Sequence, residues 1–344
     1  MSRYHCLLFE EHVPRAFPGF EPLTRIYDLP LWGNYTIGNV ARLSSASSMQ
    51  HSILSVEDTS DIQKLEQFLS QGTDANIIIV GRSGNLTVVD WNQFFKLRKP
   101  SDGIGKIHLG KDPSDLYMLP RKKLRKIVAE LGERMGQSDK RFCSLLFDEY
   151  LFRHFDLIVN LEGYSFLMRN CYEYWRENLN LTAALRSERF LELYMQLKSP
   201  HEAKSSVSES GAVINSFVGC GCRVRGEVQD SILFHGVQIG KGVRIHGSVI
   251  LPYNIIEDGV TIENALVLEG KDRVIERNTR IGGFLDVRNR EYPELLKNGF
   301  SIVGQGANIP RDSRIGAACL FSAAGEKKLP SSLVMKDAST FRAV

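Results

Sequence analysis

SILFHGVQIGKGVRIHG (231–247) and SVILPYNIIEDGVTIEN (248–264) decide the fold. Within them apolar residues return every six positions: Val237, Val243, Val249 and Ile255 in one series, Ile239, Ile245 and Leu251 in a parallel one. An amphipathic helix repeats about every 3.6 residues and a half-buried strand about every two. A period of six with turn residues between the apolar positions is what a triangular parallel β-helix demands: short strands, sharp corners and one inward apolar side chain per face. Gly236, Gly240, Gly242, Gly247, Gly259 and Asn254 fill the intervals, where tight corners call for positive φ. SFVGCGCRVRGEVQD (216–230) and ALVLEGKDRVIERNTRIGG (265–283) extend the pattern on either side, so coils begin at Ser216, Ser231, Ser248 and Ala265. SIVGQGANIPRDSRIGAAC (301–319) resumes it after EYPELLKNGF (291–300), which is expected to be an inserted loop or helix turn.

The first 200 or so residues follow a different grammar. ANIIIVG (75–81) is a short β-branched run suited to a strand buried on both faces, and LTVVDW (86–91) a second strand. DTSDIQKLEQFLSQG (58–72) reads as a helix, capped by Asp or Ser, with Ile62, Leu65, Phe68 and Leu69 on one face and Gly72 at its end. PRKKLRKIVAELGERMG (120–136), with Pro120 at its start, and NCYEYWRENLNLTAALRS (170–187) are two more helices. This alternation predicts an α/β layer domain over 1–204 and the β-helix over 205–344, with polar HEAKSSVSES (201–210) at the boundary.

Composition narrows the class. The 344 residues carry 43 Lys+Arg against 40 Asp+Glu, a formal charge of +3, with 43% hydrophobic and 24% charged residues. No basic stripe suggests nucleic acid, and no apolar run approaches the ~20 residues of a membrane span. Six scattered cysteines suit reduced thiols in a cytoplasmic protein better than a disulfide framework.

Three stretches, in order, resemble the ADP-glucose pyrophosphorylase family of sugar-1-phosphate nucleotidyltransferases. PLTRIYDLPLWGNYTIGNV (22–40) looks like the family's LT…R…LPFGGRYRIIDF segment, keeping Leu23, Thr24, Arg25, Leu29, Pro30, Gly33, Tyr35 and Ile37. EGYSFLMRNCYEYWRENLNL (162–181) is similar to EGYWRDIGTIESYWEANMDL without a gap, and NSFVGCGCRVRG (215–226) onward resembles the β-helix entry. The resemblance implies a shortened GT-A/Rossmann-like nucleotidyltransferase domain followed by a left-handed parallel β-helix.

The same comparison locates departures. The family cradles the nucleotide triphosphate in GGxGTRL, but CLLFEEHVPRAFPGFEPLT (6–24) stands there, with Glu10, Glu11 and prolines in place of glycines. The family's two metal-binding aspartates fall on Arg82 and Leu167, a neighbouring glycine on Arg169, and another aspartate on Asn39. Loss of the carboxylates removes what would hold magnesium against the phosphates. The expectation is therefore a non-catalytic, regulatory-type subunit like the bacterial GlgD class, with no catalytic residue, no metal ligand and no cofactor. Magnesium enters only under the alternative, an active sugar-1-phosphate nucleotidyltransferase with a rearranged site.

Candidates for holding a substrate or effector phosphate are Arg25, Gly33, Tyr35, Arg82 and Lys111. Arg25 matches a cationic effector position, Arg82 offers a guanidinium where the metal stood, and Lys111 in GKIHLGKDPSD falls near the family's sugar-phosphate lysine. Each has a plainer reading as a turn, loop or ion-pair residue. His235 and His246 raise a second alternative, a β-helix acyltransferase with an interfacial histidine, against that of corner residues. Cys220 and Cys222 read as small core thiols, since no second pair completes a zinc site. The expected partners are a second copy of the chain or a catalytic pyrophosphorylase subunit, with a sugar-phosphate effector and neither nucleic acid nor membrane.

Overall fold

The computed structural model describes residues 4–10, 17–20, 26–37, 49–71, 75–82, 84–89, 91–96, 103–109, 112–135, 141–196, 201–270, 273–305, 308–323 and 329–343. The chain divides into two compact units. One comprises Met1–His12, Arg25–Tyr27 and Ile37–Arg169, the other Val13–Thr24, Asp28–Thr36 and Asn170–Val344.

The first unit is a mixed α/β layer. Its strands are β1 (Tyr4–Glu10), β2 (Gln50–Ser55), β3 (Ile77–Arg82), β4 (Asn85–Val89), β5 (Gly105–Leu109), β6 (Asp112–Pro120), β7 (Leu157–Leu161) and β8 (Gly163–Leu167). Six form one sheet in the order β2-β1-β3-β6-β5-β7, while β4 and β8 pair as a separate antiparallel ribbon. β1 runs parallel to both β2 and β3, β7 parallel to β5, and β6 antiparallel to its two neighbours. The apolar run in β3 is buried on both sides. Ile78 and Val80 join one cluster with helices α1 (Thr59–Gln71) and α3 (Arg121–Met135), and Ile79 joins another with Trp91 and Phe94 of α2 (Trp91–Lys96).

The helices obey their patterns. Asp58 accepts the Asp61 N–H at 3.0 Å, which caps α1. Ile62, Leu65 and Leu69 are buried, while Phe68 packs at the edge of the cluster. Leu124, Ile127, Val128 and Leu131 give α3 an i, i+3, i+4, i+7 stripe. A Cβ on Gly132 would lie 2.8 Å from Ile62 Cγ2, so glycine lets α1 and α3 approach. Gly72, expected to close α1, lies outside the described residues.

The second unit contains the left-handed parallel β-helix. Three all-parallel sheets of five, seven and seven strands form its sides. Val224, Ile239, Ile256 and Ile275 line the first from inside; Val228, Ile245, Ile262, Ile281 and Ile315 the second; Leu233, Ile250, Val267, Val303 and Phe321 the third. The strict period of six expected from the sequence slips here. From Ile245 the next inward residue is Ile250, five positions on, and Ile256 follows six later. Ile255 consequently faces outward, 36% exposed, and Ile256 takes the core position.

Val249 is buried for a reason the period did not supply. Ile232, Val249, Leu266, Ile302 and Leu320 point out of the third sheet and yet are fully buried. Helix α4 (Cys171–Leu179) packs on the strand Val249–Ile250, and a Cβ on Gly19 would meet Leu320 Cδ1 at 3.2 Å. Asn170 caps α4, accepting the Glu173 N–H at 2.9 Å. The helix expected over 170–187 is interrupted at Asn180, resumes as α5 (Leu181–Ala184), and is followed by α6 (Glu188–Gln196).

Serines tie coil to coil at one corner. The Ser231, Ser248 and Ala265 N–H groups donate to Ser216, Ser231 and Ser248 Oγ at 3.0, 3.0 and 3.1 Å. Each hydroxyl donates in turn to the carbonyl two residues before it. Gly236, Gly242, Gly247 and Gly259 adopt positive φ, but Gly240 and Asn254 do not; Tyr253, at φ 60°, makes that corner instead. Gly240 is needed for space, since its Cβ would sit 2.7 Å from the Asp258 nitrogen of the next coil. Asn254 is buried and donates to the Leu251 and Leu268 carbonyls at 2.8 and 2.9 Å. Polar 201–210 contributes the first short strand, Ser206–Val207, and 283–300 separates two strands of the coil as the insertion requires.

Candidate functional site

In an open α/β sheet, ligands are met at the carboxyl ends of parallel strands. In the first unit β1 and β3 end there at Glu10 and Arg82, with Phe9 opposite Arg82 in register. Both end residues are 7% exposed. Arg82 Nη2 donates to Asp148 Oδ1 at 2.9 Å and to the Cys143 carbonyl at 3.2 Å, and its guanidinium lies 5.0 Å from the Phe147 ring centre. Phe147 and Asp148 come from Ser144–Leu151, eight residues of the uncommon π-helix. These contacts are those of a structural ion pair. The Tyr117 hydroxyl, on the strand beside β3, has its pKa raised first by burial and then by Asp115, with Arg82 opposing.

Lys106 was not singled out from the sequence. Its ammonium lies 5.6, 4.9 and 5.5 Å from the ring centres of Tyr117, Phe152 and Phe155, a cation–π enclosure on β5 directly opposite Tyr117. The sequence signal is faint: a lysine inside a short strand-like run, GKIHL, with Phe152 and Phe155 some fifty residues later.

Leu167 ends β8 opposite Asn85, whose side chain accepts from Ser165 Oγ at 2.7 Å. Arg169 lies against Gly84: a Cβ there would be 2.7 Å from Arg169 Cγ. An apolar side chain and an ion-paired guanidinium therefore stand where the resemblance would put two metal carboxylates, and these residues do not fit magnesium. Among the described residues no group of three or more His, Cys, Asp or Glu could hold a metal ion.

Gly33 and Tyr35 belong to the second unit, on the antiparallel ribbon of Pro30–Leu31 with Tyr35–Thr36. Trp32, fully buried, donates its N–H to Asn178 Oδ1 at 3.1 Å, accepts the Tyr194 hydroxyl at 3.1 Å and meets Phe190 edge-on at 5.1 Å. Gly33 has φ 79°, and a Cβ on it would sit 2.3 Å from Phe217 Cε1. Its carbonyl accepts the His235 N–H at 3.0 Å, and Asn34 Oδ1 accepts the Cys220 N–H at 2.9 Å. Tyr35 packs edge-on against Tyr194 at 5.6 Å, and burial raises its hydroxyl pKa. The turn is thus shaped to seat the ribbon on the coil. Arg25 and Lys111 lie outside the described residues.

The coil histidines have partners of their own. His235 stacks on His201 at 3.6 Å and meets Tyr253 at 4.9 Å. Burial first and the neighbouring His201 second push its pKa down to about 4, against a hydrogen bond to the Gly33 carbonyl. His246 Nε2 lies 3.3 Å from Asp230 Oδ2. Cys222 is a buried core thiol, and burial pushes its pKa up to about 11. Among the described residues no helix is long and apolar enough to cross a membrane.

Comparison with known proteins bears on the coil first. Residues 200–303 match the family described as GlmU-like, C-terminal hexapeptide. The chain is 26% identical over 145 residues to the glucose-1-phosphate adenylyltransferase of Acetivibrio thermocellus, covering 42% of this chain and 34% of that protein. The enzyme of the same name from Desulfitobacterium hafniense is 29% identical over 144 residues, covering 41% and 34%, and that from Desulforamulus reducens 37% identical over 122 residues, covering 34% and 29%. The matches span about a third of the length of these relatives. The chain therefore carries a GlmU-like hexapeptide domain over residues 200–303 and is homologous over some two-fifths of its length to glucose-1-phosphate adenylyltransferases.

Proposed function

We propose that this protein is a non-catalytic, regulatory-type subunit in cytoplasmic ADP-glucose synthesis for glycogen, assembled with a catalytic glucose-1-phosphate adenylyltransferase or with itself. The observation that carries this reading is Arg82. Its guanidinium ends the central strand and is held by Asp148, the Cys143 carbonyl and the Phe147 ring, where nucleotidyl transfer calls for a metal-binding carboxylate. Glu10 at the end of β1 adds a second feature, because a buried acidic side chain disfavours an approaching triphosphate.

Homology to glucose-1-phosphate adenylyltransferases supports the pathway, and the retained ribbon and α4 support a subunit-like role, since both cover the third face of the coil. The alternative of an active nucleotidyltransferase needs another source of phosphate neutralisation. The acyltransferase alternative needs His235 or His246 in a cleft between subunits, whereas His235 is stacked on His201.

Co-expression with the glucose-1-phosphate adenylyltransferase of the same organism tests the assignment. The expected result is co-purification and a changed dependence of that enzyme on sugar-phosphate effectors. Separate elution with unaltered kinetics would count against it.

A further inference from the structure

The outward side of the second β-helix sheet, the one that begins at Ala212–Ile214, carries a column of charge that the proposed function leaves unused. Parallel register places Glu227, Arg244, Thr261, Arg280, Arg314 and Val334 on successive rungs. Their chain neighbours Val228, Ile245, Ile262, Ile281 and Ile315 point into the core, so this column points to solvent. Rungs lie about 4.8 Å apart. Arg280 and Arg314 are therefore side by side, and Arg244 stands two rungs away across Thr261. All three arginines are exposed.

Like charges on adjacent rungs repel and are ordinarily offset by a neighbouring carboxylate. Here the carboxylates at the flanking corners are engaged elsewhere. Asp258 faces Arg225 at 3.7 Å and accepts the Lys241 N–H; Glu257 accepts the Arg277 N–H; Asp230 is bonded by Asn215 and faces His246. Asp312 accepts from Asn278, and Glu276 accepts the Arg311 N–H. Glu227, on the rung before Arg244, and Glu263, on the same face, form no ion pair with the three arginines. Among the described residues the side chains of Arg244, Arg280 and Arg314 have no ion-pair or hydrogen-bond partner.

We propose that this column binds a linear oligophosphate. A guanidinium fork takes a phosphoryl group by two parallel hydrogen bonds. Two such forks one rung apart suit neighbouring phosphoryl groups of a single chain, and a third fork two rungs on favours a chain over a lone phosphate. The site stands on sheet register and unpaired charge, independently of whether the chain takes part in nucleotidyl transfer.

Calorimetric titration with inorganic tripolyphosphate and with orthophosphate, at fixed ionic strength, tests it. Tripolyphosphate is expected to bind saturably and at least tenfold more tightly than orthophosphate, with Arg280→Gln and Arg314→Gln each weakening it roughly tenfold. Arg277→Gln removes the same charge from a corner arginine that faces Glu257, and is expected to change affinity less than about twofold. Unchanged melting temperatures would establish that the variants are folded. Absence of saturable binding to the wild-type chain overturns the proposal. So does equal loss in Arg277→Gln, which would indicate general electrostatic attraction, and so does binding indifferent to all three changes.

Discussion

The ion pair at the end of β3 makes an asymmetric prediction. Arg82 is 7% exposed but the Asp148 side chain is 57% exposed. Replacing Asp148 by Asn takes the carboxylate from a buried cation that keeps the Cys143 carbonyl and the Phe147 ring against it. Removing one partner of a fully buried pair costs about 3–5 kcal/mol, and breaking a surface pair about 0.2–1 kcal/mol. With one partner desolvated and the other half in water, about 1–2 kcal/mol is expected for Asp148→Asn. Arg82→Met removes the buried charge, keeps an unbranched side chain against Phe147, and leaves Asp148 free to be hydrated. Substituting a buried ion by an apolar group of similar length is often near neutral, so its cost should be smaller, roughly 0–1 kcal/mol. Hydrogen exchange of the β3 amides reads both, since it reports opening of this unit without assuming that the two units unfold together. Molar salt should move the wild type towards Asp148→Asn. Arg82→Met costing more than Asp148→Asn would refute the reasoning. So would protection of β3 by glucose 1-phosphate that disappears in Arg82→Met, because Arg82 would then be a phosphate-binding group.

Three further outcomes follow from the second unit. Ser248→Ala leaves the buried Ala265 N–H without its acceptor and should cost about 2 kcal/mol in chemical unfolding; Ser216→Ala, at the exposed start of the same ladder, should cost less than half of that. Gly33→Ala must hold φ 79° and place a Cβ 2.3 Å from the Phe217 ring, so its melting temperature should fall by several degrees, roughly 2 kcal/mol or more. His235 has a folded pKa of about 4, below its ordinary 6.5. The unfolded chain therefore binds the extra proton, and the contribution of His235 to stability is complete above pH 6.5 and lost as pH falls towards 4. Melting curves of His235→Gln should lose that part of the slope, and an unchanged slope would contradict the assignment.

The coil was legible because each turn repeats one environment, and repetition survives local irregularity. Its register was less so. Ile255 was expected inside, but one side of the triangle advances by five residues, and Ile256 holds the core position. The signal for the covered third side was also present. Ile232-Leu233, Val249-Ile250, Leu266-Val267, Ile302-Val303 and Leu320-Phe321 are apolar doublets, and adjacent apolar residues in a strand mean burial on both faces. What covers that side, α4 and 17–20, comes from segments far away in sequence, so spacing alone does not reveal it.

The candidate site was legible as a set of departures and illegible as an arrangement. The carboxylates of the resembled family were visibly missing, yet Asp148, the partner of Arg82, lies 66 residues further along the chain. Likewise the ring that packs against Gly33, that of Phe217, comes from a distant strand of the coil. Residue type pointed to positions in both cases, and long-range packing supplied their neighbours.

The most direct test of the account is pyrophosphate release by the purified chain alone with ATP, glucose 1-phosphate and magnesium. No release above that of an identically purified Arg82→Met protein is expected. Release proportional to the amount of wild-type chain, and altered by Arg82→Met, would contradict it.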